Sequence, residues 1–405
     1  MEVSSGIPEL TVNEMKELVS ELYNIGHRQS VLLIGAPGIG KSEGVQQLAQ
    51  ELAKSQGKTF VELKFRWEGG VIKNYSAIFR KAVEILKNPD DYFVLIDLRL
   101  TEYEPYDLNG VPRDFDIEDL KAFDYVPFIW QLVASACSGI LFLDEITNVQ
   151  RQDVRATMYK LLRDRKAGWI AFHPDLLVIS AGNRPEDATI ATLLDAPVVN
   201  RVLMLRIKAP TVDEWAGYMD KYIGDWDRRV YAFLKRFPEF LFQQPEDSET
   251  LNPFPTPRSW TELAKISHKI SNKYLDHVAY GEVGLEASTH FVTFVRTEVP
   301  DVDKILINPE VIAMYDVDAR YLIASQLAHK IQEECANSKK PNLQKFVKVL
   351  TWLLKHDREM LQLTAVMAGS KAMRKLHAYS LTMPQLRQVA SFFAETWKIM
   401  QEAGF

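Results

Sequence analysis

Eight residues constrain the fold of this chain more than any others: GAPGIGKS, at 35–42. They overlap at Gly35 the strand-like run VLLIG (31–35) and lead into SEGVQQLAQELAKS (42–55), whose apolar spacing predicts a helix. Gly35, Gly38 and Gly40 let the backbone turn tightly enough for its amide N–H groups to converge on one anion. The helix that follows adds its positive N-terminal end. The pattern G-x-x-x-x-G-K-[ST], in a strand–loop–helix context, is that of a phosphate-binding loop. In it Lys41 reaches toward β and γ phosphates, and Ser42 offers a hydroxyl to Mg²⁺.

Further along, the first half keeps alternating. Strand-like runs stand at 59–65 (TFVELKF), 92–98 (YFVLIDL), 139–144 (GILFLD), 176–181 (LLVISA) and 202–207 (VLMLRI). Helical patterns such as DVRATMYKLLRDR (153–165) separate most of them. Strands alternating with helices imply a mostly parallel sheet covered on both faces. From about Ala209 strand signals nearly vanish, and segments such as 319–336 and 343–369 have helical spacing. NPFPTPRSW (252–260) reads as a linker between helices, and SKKPN (338–342) as another break.

The run LFLDEITN (141–148) puts two carboxylates, Asp144 and Glu145, at the end of a strand buried on both faces. Burying a carboxylate is costly unless it is paired or holds a metal. A Mg²⁺–triphosphate pair beside the glycine loop makes both acids tolerable, with Asp144 holding the ion and Glu145 free to act as general base on water. Asn183 and Arg184 end another such run. If that strand lies between the first strand and GILFLD, the Asn183 amide sits near the γ-phosphate and orients water; otherwise it only opens a turn before Pro185.

The bulk numbers fit this picture. A chain of 405 residues, 47% hydrophobic and 25% charged, has material for two or three globular domains. Cys137 and Cys335 are too few for a disulfide framework, and the eight histidines lack metal-ligand spacing. No apolar run approaches the roughly 20 residues of a membrane helix, and the first residues lack signal-peptide character. A cytoplasmic location is therefore expected. Residues 338–405 hold eleven Lys or Arg against four Asp or Glu, although the whole chain carries −6. That region is either a solvated helical surface or a contact for nucleic acid or an acidic protein. Trp130, Trp169, Trp215, Trp260 and Trp397 are expected to fill interfaces between elements.

Taken together these motifs resemble an AAA+ ATPase, and more narrowly the MoxR type. GAPGIGKS resembles the family's Walker A, GILFLDEITN its Walker B and LLVISAGNRPED its sensor 1. DAPVVNRVLMLRI (195–207) resembles the segment carrying the arginine finger, which makes Arg201 the finger. FPTPRSWTEL (254–263) resembles the start of the sensor 2 helix, with Arg258 near the nucleotide, and EYEPYDLNGVP (102–112) resembles the family's substrate-facing hairpin insert. The motifs cover about residues 30–263. One departure stands out: if YFVLIDLRL is the family's second strand, residues 59–91 are an additional strand and helix at the sheet's edge, or a partner surface.

The resemblance implies an α/β fold: a P-loop AAA+ core with a central parallel sheet at 1–208, including an insert at about 101–116. A helical lid at 209–300 and a basic helical C-terminal region at 301–405 follow. It implies ATP and Mg²⁺ as cofactors, bound by Gly35, Ala36, Pro37, Gly38, Ile39, Gly40, Lys41, Ser42, Glu43 and Arg258, with Ser42 and Asp144 on the metal. Lys41, Glu145, Asn183 and Arg201 are the catalytic set for ATP hydrolysis. It further implies a homo-oligomeric ring, of six, that remodels a protein client, with a von Willebrand factor A domain protein as a partner. A nucleic-acid motor or loader on the same core is the alternative, supported by the basic 338–405 region. A switch that binds nucleotide and scarcely hydrolyses it is a third reading, and Glu145 speaks against it.

Overall fold

The computed structural model describes residues 8–64, 72–117, 120–184, 199–244, 252–337, 341–383 and 386–402. Parts of the expected 59–91 element (65–71), of the sensor 1 and finger segments (185–198) and of the 338–342 break (338–340) lie outside these residues. The chain divides into two compact units, Met1–Ala209 and Pro210–Phe405.

In the first unit the strands are β1 (Glu9–Leu10), β2 (Val31–Ile34), β3 (Thr59–Lys64), β4 (Tyr92–Arg99), β5 (Val111–Ile117), β6 (Leu120–Val126), β7 (Gly139–Asp144), β8 (Lys166–Ala167), β9 (Ile170–Ala171), β10 (Leu176–Gly182) and β11 (Leu203–Ile207). The helices are α1 (Val12–Asn24), α2 (Lys41–Ser55), α3 (Ile72–Lys87), α4 (Pro105–Asn109), α5 (Ile129–Ala136) and α6 (Gln152–Asp164). Seven strands form one parallel sheet in the order β1-β11-β2-β10-β7-β4-β3. This is the α/β class the motifs imply, a glycine-loop core with a central parallel sheet, followed in the chain by a helical unit.

The apolar runs are continuous because the central strands are buried on both faces. On one face Leu141 and Leu143 of β7 and Val178 of β10 pack with Trp130 and Val133 of α5 and with Met158 and Leu161 of α6. Helix α1 starts at a capping box, in which Thr11 Oγ1 accepts from Glu14 N–H and Glu14 Oε2 accepts from Thr11 N–H. It lies so close to α2 that a Cβ on Gly44 would stand 2.4 Å from Val12 Cγ1.

The additional element takes its place at the sheet's edge: β3 pairs in parallel with β4, and Ala82 and Ile85 of α3 join Leu63 in the core. The insert contains α4 and an antiparallel hairpin of β5 and β6. Its second strand ends at Val126, beyond the 101–116 window, because the matched residues EYEPYDLNGVP mark only where the insert begins. Trp169 corrects an expectation. It is 80% exposed, since it sits in the tight turn between β8 and β9, where no element covers it. Trp130, Trp215 and Trp260 are buried as anticipated, and Trp397 is partly buried against the core.

The second unit is helical, with no strand among its described residues. Its helices are α7 (Val212–Tyr218), α8 (Arg228–Arg236), α9 (Pro257–Ile266), α10 (Leu275–Val283), α11 (Leu285–Val295), α12 (Val302–Ile307), α13 (Val317–Asn337), α14 (Val347–His356), α15 (Arg358–Thr382) and α16 (Arg387–Glu402). The helical pattern read across 343–369 breaks at Asp357, between α14 and α15. A second break falls inside α15 at Gly369, whose φ of 77° and ψ of 163° leave helical geometry. One apolar cluster runs from Val212 to Phe393 and spans the 300/301 position without interruption. At its centre the Phe233 ring lies 5.5 Å from both Trp260 and Phe291, while Trp260 Nε1 donates to Phe240 O at 2.6 Å. Trp260→Ala would remove this anchor and leave a cavity costing about 3–5 kcal/mol. The expected result is a lowered unfolding midpoint, measured by urea or thermal denaturation of the full chain.

Candidate functional site

The site grows from the carboxyl edge of the sheet. Strand β10 is hydrogen-bonded to β2 on one side and β7 on the other, with Gly182 level with Ile34 and Ser180 level with Leu143. The chain therefore leaves all three strands along one line. There the glycine loop, Asn183, and the acids Asp144 and Glu145 emerge side by side. Ligands of open parallel sheets sit at this edge.

The loop needs its glycines for two reasons. Gly38 and Gly40 have φ of 77° and 96°, a region that costs an ordinary L-residue roughly 1–2 kcal/mol. Gly35 passes under the end of β11, where a Cβ would stand 2.4 Å from Ile207 O and 2.9 Å from Ile39 Cδ1. Ala36 and Ile39 are buried, Pro37 is half-buried, and Gly40 forms the N-cap of α2 with Lys41, Ser42 and Glu43 in its first turn.

Lys41 is 8% exposed, and its ammonium donates to Gly35 O at 2.6 Å, Ala36 O at 2.8 Å and Asn183 Oδ1 at 3.2 Å. Ser42 Oγ donates to Asp144 Oδ2 at 3.1 Å. Asn183 is fixed in turn, because its N–H donates to Thr147 Oγ1 at 2.9 Å. The structure thus forms two hydrogen-bonded pairs from adjacent residues of α2, Lys41 with Asn183 and Ser42 with Asp144, with Glu145 next to Asp144 in the chain.

Glu145 adopts the left-handed conformation, φ 57° and ψ 35°. For a residue with a Cβ this strain persists only where neighbours hold it. Asp144 Oδ1 does so by accepting the Glu145 N–H at 2.9 Å. The Glu145 side chain remains 37% exposed, and its Oε1 lies 3.6 Å from Arg99 Nε, an ion pair at the end of β4. Arg99 and Thr147 are the site residues that motif reading missed. Arg99 is level with Asp144 in the β4–β7 register, and its signal is a charge at the tip of a buried strand.

The other two expected residues lie elsewhere. Arg201 is exposed just before β11, at the amino edge of the sheet. Since β11 runs parallel to β2, Arg201 is separated from its own loop by about six residues of extended chain, roughly 20 Å at 3.3 Å each. Arg258 occupies the first turn of α9 in the second unit.

Two oxygens, one hydroxyl and one carboxylate, 3.1 Å apart beside a cationic loop, suit a small hard cation that takes its remaining ligands from phosphate and water. Among the described residues no group of three or more His, Cys, Asp or Glu is disposed to hold a metal on its own. Among them, too, no helix is long and apolar enough to cross a membrane.

No protein-family model matches this chain, and no curated protein matches its sequence. Solved structures do align with it. The ORC2 protein of Aeropyrum pernix, in ADPNP and ADP complexes, is 11% identical over 91% of this chain and 96% of its own, with a TM-score of 0.36. A HORMA:CdnC:Trip13 complex from E. coli MS115-1 is 13% identical over 72% of this chain and 89% of its own, at 0.33. The FIGL-1 AAA domain in complex with ADP is 14% identical over 76% and 86%, at 0.32. At such scores they carry no chemistry over to this chain, whose fold is read from its own strand order and loop.

The close approach at Gly35 makes a direct test. Gly35→Ala should destabilise the first unit by about 1–3 kcal/mol and weaken triphosphate binding together. Thermal melting alongside titration with a fluorescent triphosphate would check this.

Proposed function

We propose that this chain is an ATP-hydrolysing AAA+ protein of the MoxR type, which assembles into a ring and remodels a protein partner. The observation that carries the hydrolytic reading is the 3.1 Å contact of Ser42 Oγ with Asp144 Oδ2 beside the Lys41 ammonium. It supports a shared site in which Ser42 and Asp144 would hold a cation beside a loop that would hold phosphate.

On this reading the loop amides and the N-terminal end of α2 receive the β and γ phosphates. The Lys41 ammonium exchanges the Gly35 and Ala36 carbonyls for phosphate oxygens. Ser42 and Asp144 hold Mg²⁺, which when bound offsets charge on the phosphate oxygens. Glu145 accepts a proton from the attacking water, and Asn183 orients that water through its amide. Arg99 holds the Glu145 carboxylate until a ligand reorders the site. Arg258, from the helical lid at 209–300, contacts the nucleotide.

Arg201 lies at the opposite edge of the sheet from its own loop, which supports a role in a second copy. A planar guanidinium offers several donors to a γ-phosphate on which charge is developing. Hydrolysis then depends on assembly, and nucleotide state becomes relative motion of subunits. The hairpin of β5 and β6 would face the client, and the basic C-terminal region a partner protein.

Glu145→Gln should retain ATP and the ring while abolishing turnover, measured by phosphate release, nucleotide retention and mass in solution; unchanged turnover would remove Glu145 as the base. Arg201→Ala should cut turnover on the order of 10³-fold with nucleotide affinity nearly unchanged. Mixing Arg201→Ala with Lys41→Ala chains should restore activity, because one interface then combines an intact loop with an intact finger. Salt-sensitive binding of DNA or RNA, with no protein captured, would favour a nucleic-acid motor over a remodeller.

A further inference from the structure

The amino edge of the sheet carries a second arginine beside Arg201. Arg163 lies in the last turn of α6, and its guanidinium grips Asp164 with two bonds, Nε to Oδ1 and Nη2 to Oδ2, both 2.6 Å. Adjacent residues tie this segment to Arg201. Ser30 Oγ donates to Leu162 O at 2.6 Å, Gln29 Nε2 donates to Arg201 O at 3.2 Å, and Leu203 N–H donates to Ser30 O at 2.8 Å. One dipeptide thus clasps both arginine-bearing segments.

Asp164 is bonded to Arg163 and within electrostatic reach of Arg201. Arg163 beside it holds its carboxyl below the usual range, and Lys166 and Arg201 add to that through space. The backbone is pinned as well: Arg165 is left-handed, φ 51°, and its guanidinium donates to His173 O and Pro174 O, both at 3.1 Å. Arg163 and Arg201 are both exposed. Exposed ion pairs contribute little to stability, so a pinned and paired arginine here calls for another use.

We propose that Arg163 acts with Arg201 as a second trans-acting cation, and that Asp164 is the positioning residue that presents both guanidiniums to the triphosphate held by a neighbouring copy. This rests on the shared-site reading above. One guanidinium can cover only part of a terminal phosphate, whereas two can span its outer oxygens and the bridging oxygen. Asp164 keeps two like charges adjacent while no phosphate is present, then gives up one partner to it.

The test uses full chains and mixed assemblies. Arg163→Ala should lower kcat by about tenfold or more with nucleotide affinity within about twofold of the parent. Asp164→Asn should lower kcat less, again without moving affinity. Mixed with Lys41→Ala chains, Arg163→Ala should regain turnover. Mixed with Arg201→Ala chains it should not, because every interface then lacks one of the two arginines. Unchanged turnover in Arg163→Ala would overturn the proposal, as would a loss that Lys41→Ala chains cannot rescue. If Arg201→Ala itself keeps full turnover, the shared-site reading fails first; if only Arg163→Ala escapes rescue, that reading stands and this one falls.

Discussion

The hydrogen bond from Ser42 to Asp144 depends on the register of three parallel strands. The two residues are 102 positions apart in the chain and meet because β10 holds β2 and β7 level. With strands about 4.8 Å apart, β2 and β7 are separated by roughly 10 Å, a gap that the first turn of α2 and one carboxylate can bridge. A slip of one residue in either pairing would turn the tip side chains to the opposite face and break the contact. The apolar core on both faces holds that register. In this sense the packing of Leu141, Leu143 and Val178 against α5 and α6 is part of the site.

Glu145 shows how the same edge stores strain. A carboxylate placed directly after Asp144 would, with extended backbone, continue the strand. The left-handed turn lifts it away, and Asp144 holds the turn with one oxygen while the other meets Ser42. A single side chain therefore fixes both the Ser42 hydroxyl and the geometry of the acid beside it.

Much of this was legible in the sequence, for physical reasons. Strands buried on both faces write themselves as uninterrupted apolar runs, and β2, β4, β7, β10 and β11 were found almost at their limits. The loop was legible because few arrangements need glycine at 35, 38 and 40 together with Lys41 and Ser42. Elements that depend on tertiary context were not. The two-residue strand β1 has no pattern of its own and exists only because Glu9 and Leu10 lie beside Arg206 and Ile207. The break at Gly369 leaves the apolar spacing of α15 intact on either side. Trp169 reads as a core residue by type, yet the β8–β9 turn presents it to solvent. Arg99 acquires meaning only once β4 is known to lie level with β7, and Arg163 only once Gln29 and Ser30 are seen to fasten its segment to that of Arg201.

The sheet also acts as a ruler. Its carboxyl edge carries the loop and its amino edge carries Arg201, joined by strands β2 and β11 that are directly hydrogen-bonded. The span from one to the other is set by the number of residues in those strands, not by any flexible linker. Lengthening either strand alone would shift the loop relative to Arg201. Strand β3 stands at the far edge of the sheet and β5 pairs with β6 in a separate hairpin, so all three lie outside that span.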